Sequence, residues 1–69
     1  MELSELAKDF KLGIYEHFKG NRYQALGVAW DSETLEEVVV YKALYGDGGL
    51  WVRPLKMLTE IIERDGKKI

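Results

Sequence analysis

Side chains able to bind or transform a ligand fall in three places along this chain. The single histidine, His17, comes two residues after Tyr15, so both would point to the same side of a strand. The segment Asp31-Ser32-Glu33-Thr34 gathers carboxylates and hydroxyls within one loop. Trp51 and Arg53 are also two residues apart, and an arginine beside an aromatic ring is a common recognition pair.

Each of these places also has a purely structural interpretation. His17 is either a general base or a side chain packed beside Tyr15, and one histidine in a chain without cysteine is too little for zinc. Ser32, Glu33 and Thr34 are candidate ligand contacts, although short polar side chains in turns commonly bond their own backbone. Trp51 and Arg53 either face a ligand, or Trp51 anchors the core while Arg53 is held by an acid such as Glu33. We expect no metal and no cofactor.

The glycine-rich segment Gly46-Asp47-Gly48-Gly49 is interpreted as a hairpin turn. A phosphate-binding loop of the P-loop type joins a strand to a helix and carries Lys with Ser or Thr, and this segment has neither feature. It joins two β-forming runs, so we expect positive φ at one or more of its glycines.

Alternating apolar residues predict the strands that would hold these groups in place. In the second strand, Leu26, Val28 and Trp30 should face one side and Tyr23, Ala25, Gly27 and Ala29 the other. Four strands are predicted in this way: from Leu12 up to a turn at Lys19-Gly20-Asn21, from Tyr23 to Trp30, from Glu36 to Leu44, and from Leu50 to Arg53.

The two ends of the chain are less regular. Residues 1–11 are predicted to be an N-terminal extension, helical or frayed, with Ser4 as a possible helix cap. Residues 55–64 suit either a helix beginning at Pro54 or a strand. We favour a turn at 54–57, a strand to about Arg64, and residues 67–69 pairing back after Asp65-Gly66. The fold class is then mainly β: a small SH3-like barrel or roll of five to six short antiparallel strands, formed by residues 12–69.

Composition narrows the functional classes. The chain has 69 residues, enough for one domain, and its net charge of −2 comes from interspersed acids and bases. No basic face for nucleic acid is indicated, and no apolar run approaches the length of a membrane span. The N-terminus lacks the features of a signal peptide, so we expect a cytoplasmic protein, either a monomer or a weak homodimer.

Several ordered motifs resemble one bacterial family, domain-of-unknown-function family 1653. The matching pieces span roughly residues 13–66. The resemblance implies a small β domain of the SH3-barrel type and carries no established activity, substrate or partner. The motifs are Tyr15-Glu16-His17-Phe18-Lys19-Gly20, Leu26-Gly27-Val28-Ala29, Ser32-Glu33-Thr34, Val39-Val40-Tyr41, Leu44-Tyr45-Gly46 and Gly49-Leu50-Trp51-Val52-Arg53-Pro54-Leu55.

Two functional classes follow from the sequence. The favoured one is a binding module whose aromatic groove and arginine grip a protein, a peptide or a small anionic ligand. The alternative is an enzyme or enzyme accessory domain that uses His17 with the Ser32–Thr34 loop. The single histidine favours binding, because so short a chain offers little to build a preorganised catalytic site. The candidate ligand-binding residues are Tyr15, His17, Ser32, Glu33, Thr34, Tyr41, Trp51 and Arg53.

Overall fold

A five-stranded antiparallel sheet forms the body of the molecule in the computed structural model, which describes residues 2–17 and 19–69. The strand order is β4-β3-β2-β1-β5. The predicted mainly β fold with short antiparallel strands is confirmed, while Phe18, at the end of the predicted first strand, lies outside the described residues. In chain order the elements are α1 (Glu5–Asp9), β1 (Gly13–His17), β2 (Arg22–Trp30), β3 (Glu37–Ala43), β4 (Leu50–Pro54), α2 (Leu55–Asp65) and β5 (Gly66–Lys68).

The core lies between one face of the sheet and the two helices. Val39 of β3 is fully buried, and Leu55 and Leu58 of α2 are 1% and 3% exposed. Ala7 brings α1 into the same cluster, and Tyr15 and Ala25 complete it from β1 and β2. The apolar side chains thus converge on a single seam beneath α2.

A β-bulge at Leu26 changes which side chains of β2 share a face. Ala25 pairs with Tyr41, but Gly27 pairs with Val40, so Leu26 is an extra residue in the ladder. The predicted strict alternation across β2 is therefore wrong. Paired residues share a face, so Tyr23 and Ala25 join Val28 and Trp30 on the side of α2 rather than opposing them.

The C-terminal segment is a helix, and the favoured strand over residues 58–64 is wrong. Leu55, Leu58 and Ile62 recur at helical spacing and turn one face of α2 to the core. Gly66 ends the helix by donating its N–H to the carbonyl of Ile62, so Asp65-Gly66 is no hairpin turn. β5 pairs with β1 instead of returning onto the preceding segment.

The turn between β3 and β4 has the backbone predicted for it. Gly46 and Gly48 have φ of 59° and 67°, which L-amino acids with a side chain rarely adopt. The Ala43 N–H donates to the carbonyl of Gly49 at 3.0 Å and closes the hairpin.

α1 is attached to the sheet by Glu37. The Ser4 N–H and hydroxyl donate to the two carboxylate oxygens of Glu37 at 2.7 and 2.6 Å, and these bonds lower the pKa of Glu37. Ser4 also caps the helix, as predicted, by accepting from the Ala7 N–H. The separation of residues 1–11 from a domain at 12–69 stays a prediction. Neither described helix has the length and apolar character needed to cross a membrane.

Trp51 does not anchor the core, because its side chain is 60% exposed on β4. We predict that Leu58→Ala lowers the free energy of unfolding by about 2–5 kcal/mol, since it leaves a cavity under α2. Trp51→Ala should change it by about 0.5 kcal/mol, as expected for an exposed site. Urea unfolding of both variants checks this, and a larger loss for Trp51→Ala than for Leu58→Ala would contradict the assigned core.

Candidate functional site

A pocket of about 250 Å³ opens between the tyrosine-bearing end of the sheet and the middle of α2. Leu58 and Ile61 of α2 form its apolar wall. The other lining residues belong to the strands and turns at this end of the sheet. They are His17 of β1, Lys19 and Asn21 of the turn after it, Tyr23 of β2, Tyr41 of β3, Tyr45 of the β3–β4 turn and Arg53 of β4.

The antiparallel register brings Tyr41 and Arg53 into this pocket from adjacent strands. Tyr41 pairs with Trp51 and Val39 with Arg53, so all four side chains project from the α2 side of the sheet. The Arg53 Nε–H donates to the Tyr41 hydroxyl at 3.1 Å, and an Nη1–H points to the Met57 sulfur at 4.0 Å. These contacts hold the guanidinium at the pocket while it remains exposed to solvent.

The charge of the pocket differs in sign from that of the whole chain. Lys19 and Arg53 are its two cations, and none of the described residues that line it is acidic. The chain as a whole carries −2. Within residues 2–17 and 19–69, Arg53 forms no ion pair with a carboxylate, whereas Arg22 and Lys67 both pair with Glu16. The pocket is therefore locally positive.

A row of aromatic rings leads from the core into the pocket. Phe10, Tyr15 and Tyr23 stack with ring centroids 5.7 and 5.8 Å apart, and Tyr23 meets Tyr41 edge to face at 5.2 Å. Burial in this row is the main cause that raises the pKa of Tyr23 to about 12; the neighbouring phenols of Tyr15 and Tyr41 contribute to the rise, and Arg53 opposes it. Tyr23 is therefore a neutral hydrogen-bonding group at any physiological pH.

His17 is at the rim of the pocket, at the end of β1. Its Nδ1 accepts from the Lys19 N–H at 3.4 Å, and its backbone carbonyl accepts from the Gly20 N–H. The imidazole is thus bonded to the backbone of Lys19, and both residues line the pocket.

Two predicted aromatic contacts are not in the pocket. Tyr15 is buried in the core, and its hydroxyl donates to the carbonyl of Lys11 at 2.5 Å, so it supports Tyr23 rather than facing a ligand. Trp51 is opposite Tyr41 in the ladder but is exposed at the edge of the sheet, outside the pocket lining. Of the eight predicted contacts, the structure brings together His17, Tyr41 and Arg53.

The Ser32–Thr34 loop is at the opposite end of β2. Trp30 is seven positions after Tyr23, which corresponds to about 23 Å of extended strand. Asp31 Oδ1 accepts from the N–H groups of Glu33 and Thr34, and these bonds lower the pKa of Asp31. The loop's polar groups therefore stabilise its own turn, and Ser32, Glu33 and Thr34 are not brought to His17 or Arg53.

The sequence pattern missed the pocket residues Lys19, Asn21, Tyr23, Tyr45, Leu58 and Ile61. Tyr23 was assigned to the wrong face because the bulge at Leu26 follows it. Leu58 and Ile61 could be recognised only by treating residues 55–65 as a helix. The surplus of tyrosines in so short a chain was the available signal that some phenols face a ligand or solvent.

The comparisons with known proteins agree on one family. Residues 13–69 match the model of the family described as "Protein of unknown function (DUF1653)". A crystal structure of a protein of that family from Bordetella bronchiseptica superposes with a TM-score of 0.68 and is 45% identical, over 74% of this chain and 68% of that chain. No curated protein matches the chain significantly.

The position of Tyr23 predicts a distinct alkaline titration. Its folded-state pKa of about 12 lies above the ordinary 10.0, so its contribution to stability is complete below pH 10 and is lost as the pH rises toward 12. Tyr23→Phe should make unfolding by urea less sensitive to pH across that window and should remove the highest step of the tyrosinate absorbance titration. Tyr45→Phe, at a residue 54% exposed, is the control; an unchanged highest step in Tyr23→Phe would contradict the assignment.

Proposed function

Since the chain belongs to the DUF1653 family of proteins of unknown function, we propose from its pocket that it is a binding module for small anionic ligands. The ligand carries a carboxylate or similar anion joined to a flat apolar body. The observation that carries the proposal is Arg53, a solvent-exposed guanidinium at an aromatic pocket with no carboxylate partner among the described residues.

Arg53 suits an oxyanion because its orientation is already set. The Tyr41 hydroxyl and the Met57 sulfur contact two of its N–H groups. The guanidinium carries further N–H groups in a planar fork, which matches the two oxygens of a carboxylate. Preorganisation of this kind lowers the entropy lost when the ligand binds.

The tyrosines supply the remaining contacts. Tyr23 and Tyr41 present ring surface at an edge-to-face angle of 62°, and an aromatic ligand can stack on one ring while it meets the edge of the other. Tyr41 accepts from Arg53, so its own O–H proton remains available to donate to an anion. Leu58 and Ile61 exclude water from the side of α2.

The size of the pocket limits the ligand. Its volume of about 250 Å³ lies below the 300–1,000 Å³ typical of pockets for drug-sized molecules. It fits one ring with one anionic substituent, or one acidic side chain of a peptide. Lys19 at the rim adds a second positive charge that attracts either ligand from solution.

The enzyme alternative has no comparable support. It requires His17 within hydrogen-bond reach of a hydroxyl or carboxylate of the Ser32–Thr34 loop, and these lie at opposite ends of β2.

Titration with benzoate, followed by amide chemical shifts, tests the proposal. We expect the amide signals of Tyr23, Tyr41 and Arg53 to shift at millimolar concentrations of benzoate, because one charged contact and one ring contact give modest affinity. Benzamide, the uncharged isostere, should bind at least about tenfold more weakly, since a hydrogen bond to a charged group contributes about 1.5–3 kcal/mol. A short Glu-containing peptide in a parallel titration distinguishes a peptide ligand from a small molecule.

Arg53→Ala should abolish the benzoate shifts and leave the melting temperature nearly unchanged, because Arg53 is exposed. Arg64→Ala, which removes an exposed arginine in the last turn of α2, is the matched control and should bind as the parent does. Equal binding of benzoate and benzamide, or undiminished shifts in Arg53→Ala, would refute an anion site.

A further inference from the structure

β4 forms one edge of the sheet and exposes an unusual amount of apolar surface. Leu50, Trp51 and Val52 are 66%, 60% and 60% exposed, and β4 pairs with β3 alone among the described strands. An apolar edge strand of this kind is a template for another strand, and proteins ordinarily protect it with charges or a covering segment.

The alternation of hydrogen-bonded and non-bonded residue pairs in the β3–β4 hairpin shows which backbone groups of β4 point outward. The register pairs Lys42 with Leu50, so Ala43 is opposite Gly49, and the Ala43 N–H donates to the Gly49 carbonyl. In an antiparallel ladder, bonded pairs alternate with non-bonded pairs. Trp51 and Arg53 therefore bond to β3, while the backbone groups of residues 50, 52 and 54 face the free edge.

Pro54 ends this row of outward donors, because it has no N–H. Only Leu50 and Val52 then offer both an N–H and a carbonyl at the edge. From these outward-facing backbone groups we propose that two copies of the chain pair antiparallel through β4, with a two-fold axis at Trp51. Leu50 exchanges both backbone bonds with the partner's Val52, and Val52 does the same with the partner's Leu50.

The side chains are compatible with this register. On the sheet face away from α2, each exposed Leu50 meets a partner valine, so both pairs lose apolar exposure. On the α2 face the two Trp51 residues form a non-bonded pair with Cα atoms about 4.5 Å apart, close enough for their rings to pack. The same two-fold pairing of β4 strands thus covers the exposed apolar side chains on both faces of the sheet.

The charges of β4 are compatible with a second copy as the occupant. In this register Arg53 is opposite the partner's Gly49, so the two arginines are separated by four residues of strand, about 14 Å. No like charges face each other across the axis. The edge supplies donors, acceptors and apolar partners at the same two positions, which is the self-complementarity that an isologous interface requires. The inference does not rest on the anion pocket.

Sedimentation velocity across loading concentrations from about 10 μM to about 1 mM tests the dimer. A strand of five residues buries little surface, so we expect a dissociation constant between micromolar and millimolar. The double variant Leu50→Lys with Val52→Lys should weaken the dimer at least tenfold, because each lysine would face a partner lysine. Leu50→Glu with Val52→Lys should restore it, because each glutamate would face a partner lysine.

Leu12→Lys is the matched control, since Leu12 is 49% exposed and lies outside the strands. A chain that stays monomeric at the highest concentration overturns the proposal, and so does a dimer that the double-lysine variant leaves unchanged.

A second measurement reports the register directly. The chain has no cysteine, so Trp51→Cys should form an intermolecular disulfide under mild oxidation, whereas Glu60→Cys on exposed α2 should not. Equal cross-linking of the two variants would also overturn the register.

Discussion

The packing of α2 against the sheet, through Leu55 and Leu58 over Val39, is the contact on which the rest of the structure depends. A single antiparallel sheet buries nothing by itself, and 69 residues offer few side chains to cover it. α2 covers one face of the sheet and excludes solvent from the residues around Val39. α1 extends the same seam through Ala7, fixed by the bonds between Ser4 and Glu37.

The pocket is the part of that face that α2 does not fill. Beside the middle of α2 the apolar core borders on phenol rings, and Tyr41 holds Arg53 at their margin. The row of rings connects the two regions, since Tyr15 belongs to the core and stacks on Tyr23 of the pocket. Core packing and pocket shape are therefore set by the same side chains, and a change at Tyr15 acts on both.

Most of the sheet could be predicted from the sequence because its signals are local. The β-branched run ending at Val40 and the glycines at positions 46 and 48 determine β3 and its hairpin without help from the rest of the chain. Residues 55–65 were ambiguous because Ile and Thr suit a strand as well as a helix. Their conformation is decided by burial of Leu55 and Leu58, which is a tertiary effect.

The candidate site was partly predictable for the same reason. Arg53 and Tyr41 come together through the register of the β3–β4 hairpin. That register depends on a short stretch of sequence, so it could be predicted from the local pattern. His17 reaches the pocket through the pairing of more distant strands, and the sequence gives no measure of its distance from Ser32. Trp51 was misplaced because composition favours burying tryptophan, whereas an edge strand can leave it exposed.

The bulge at Leu26 gives β2 one position where its length can change without inverting the sheet. Because Leu26 has no partner in the ladder, loss of its codon would leave Tyr23 and Ala25 on one side of the gap and Val28 on the other still facing α2. Loss of a codon between Gly27 and Trp30 would turn the residues beyond the gap to the opposite face if the bulge is kept, or turn the residues between Leu26 and the gap if the bulge is lost. In an alignment of relatives, a one-residue gap within this strand should therefore fall at Leu26.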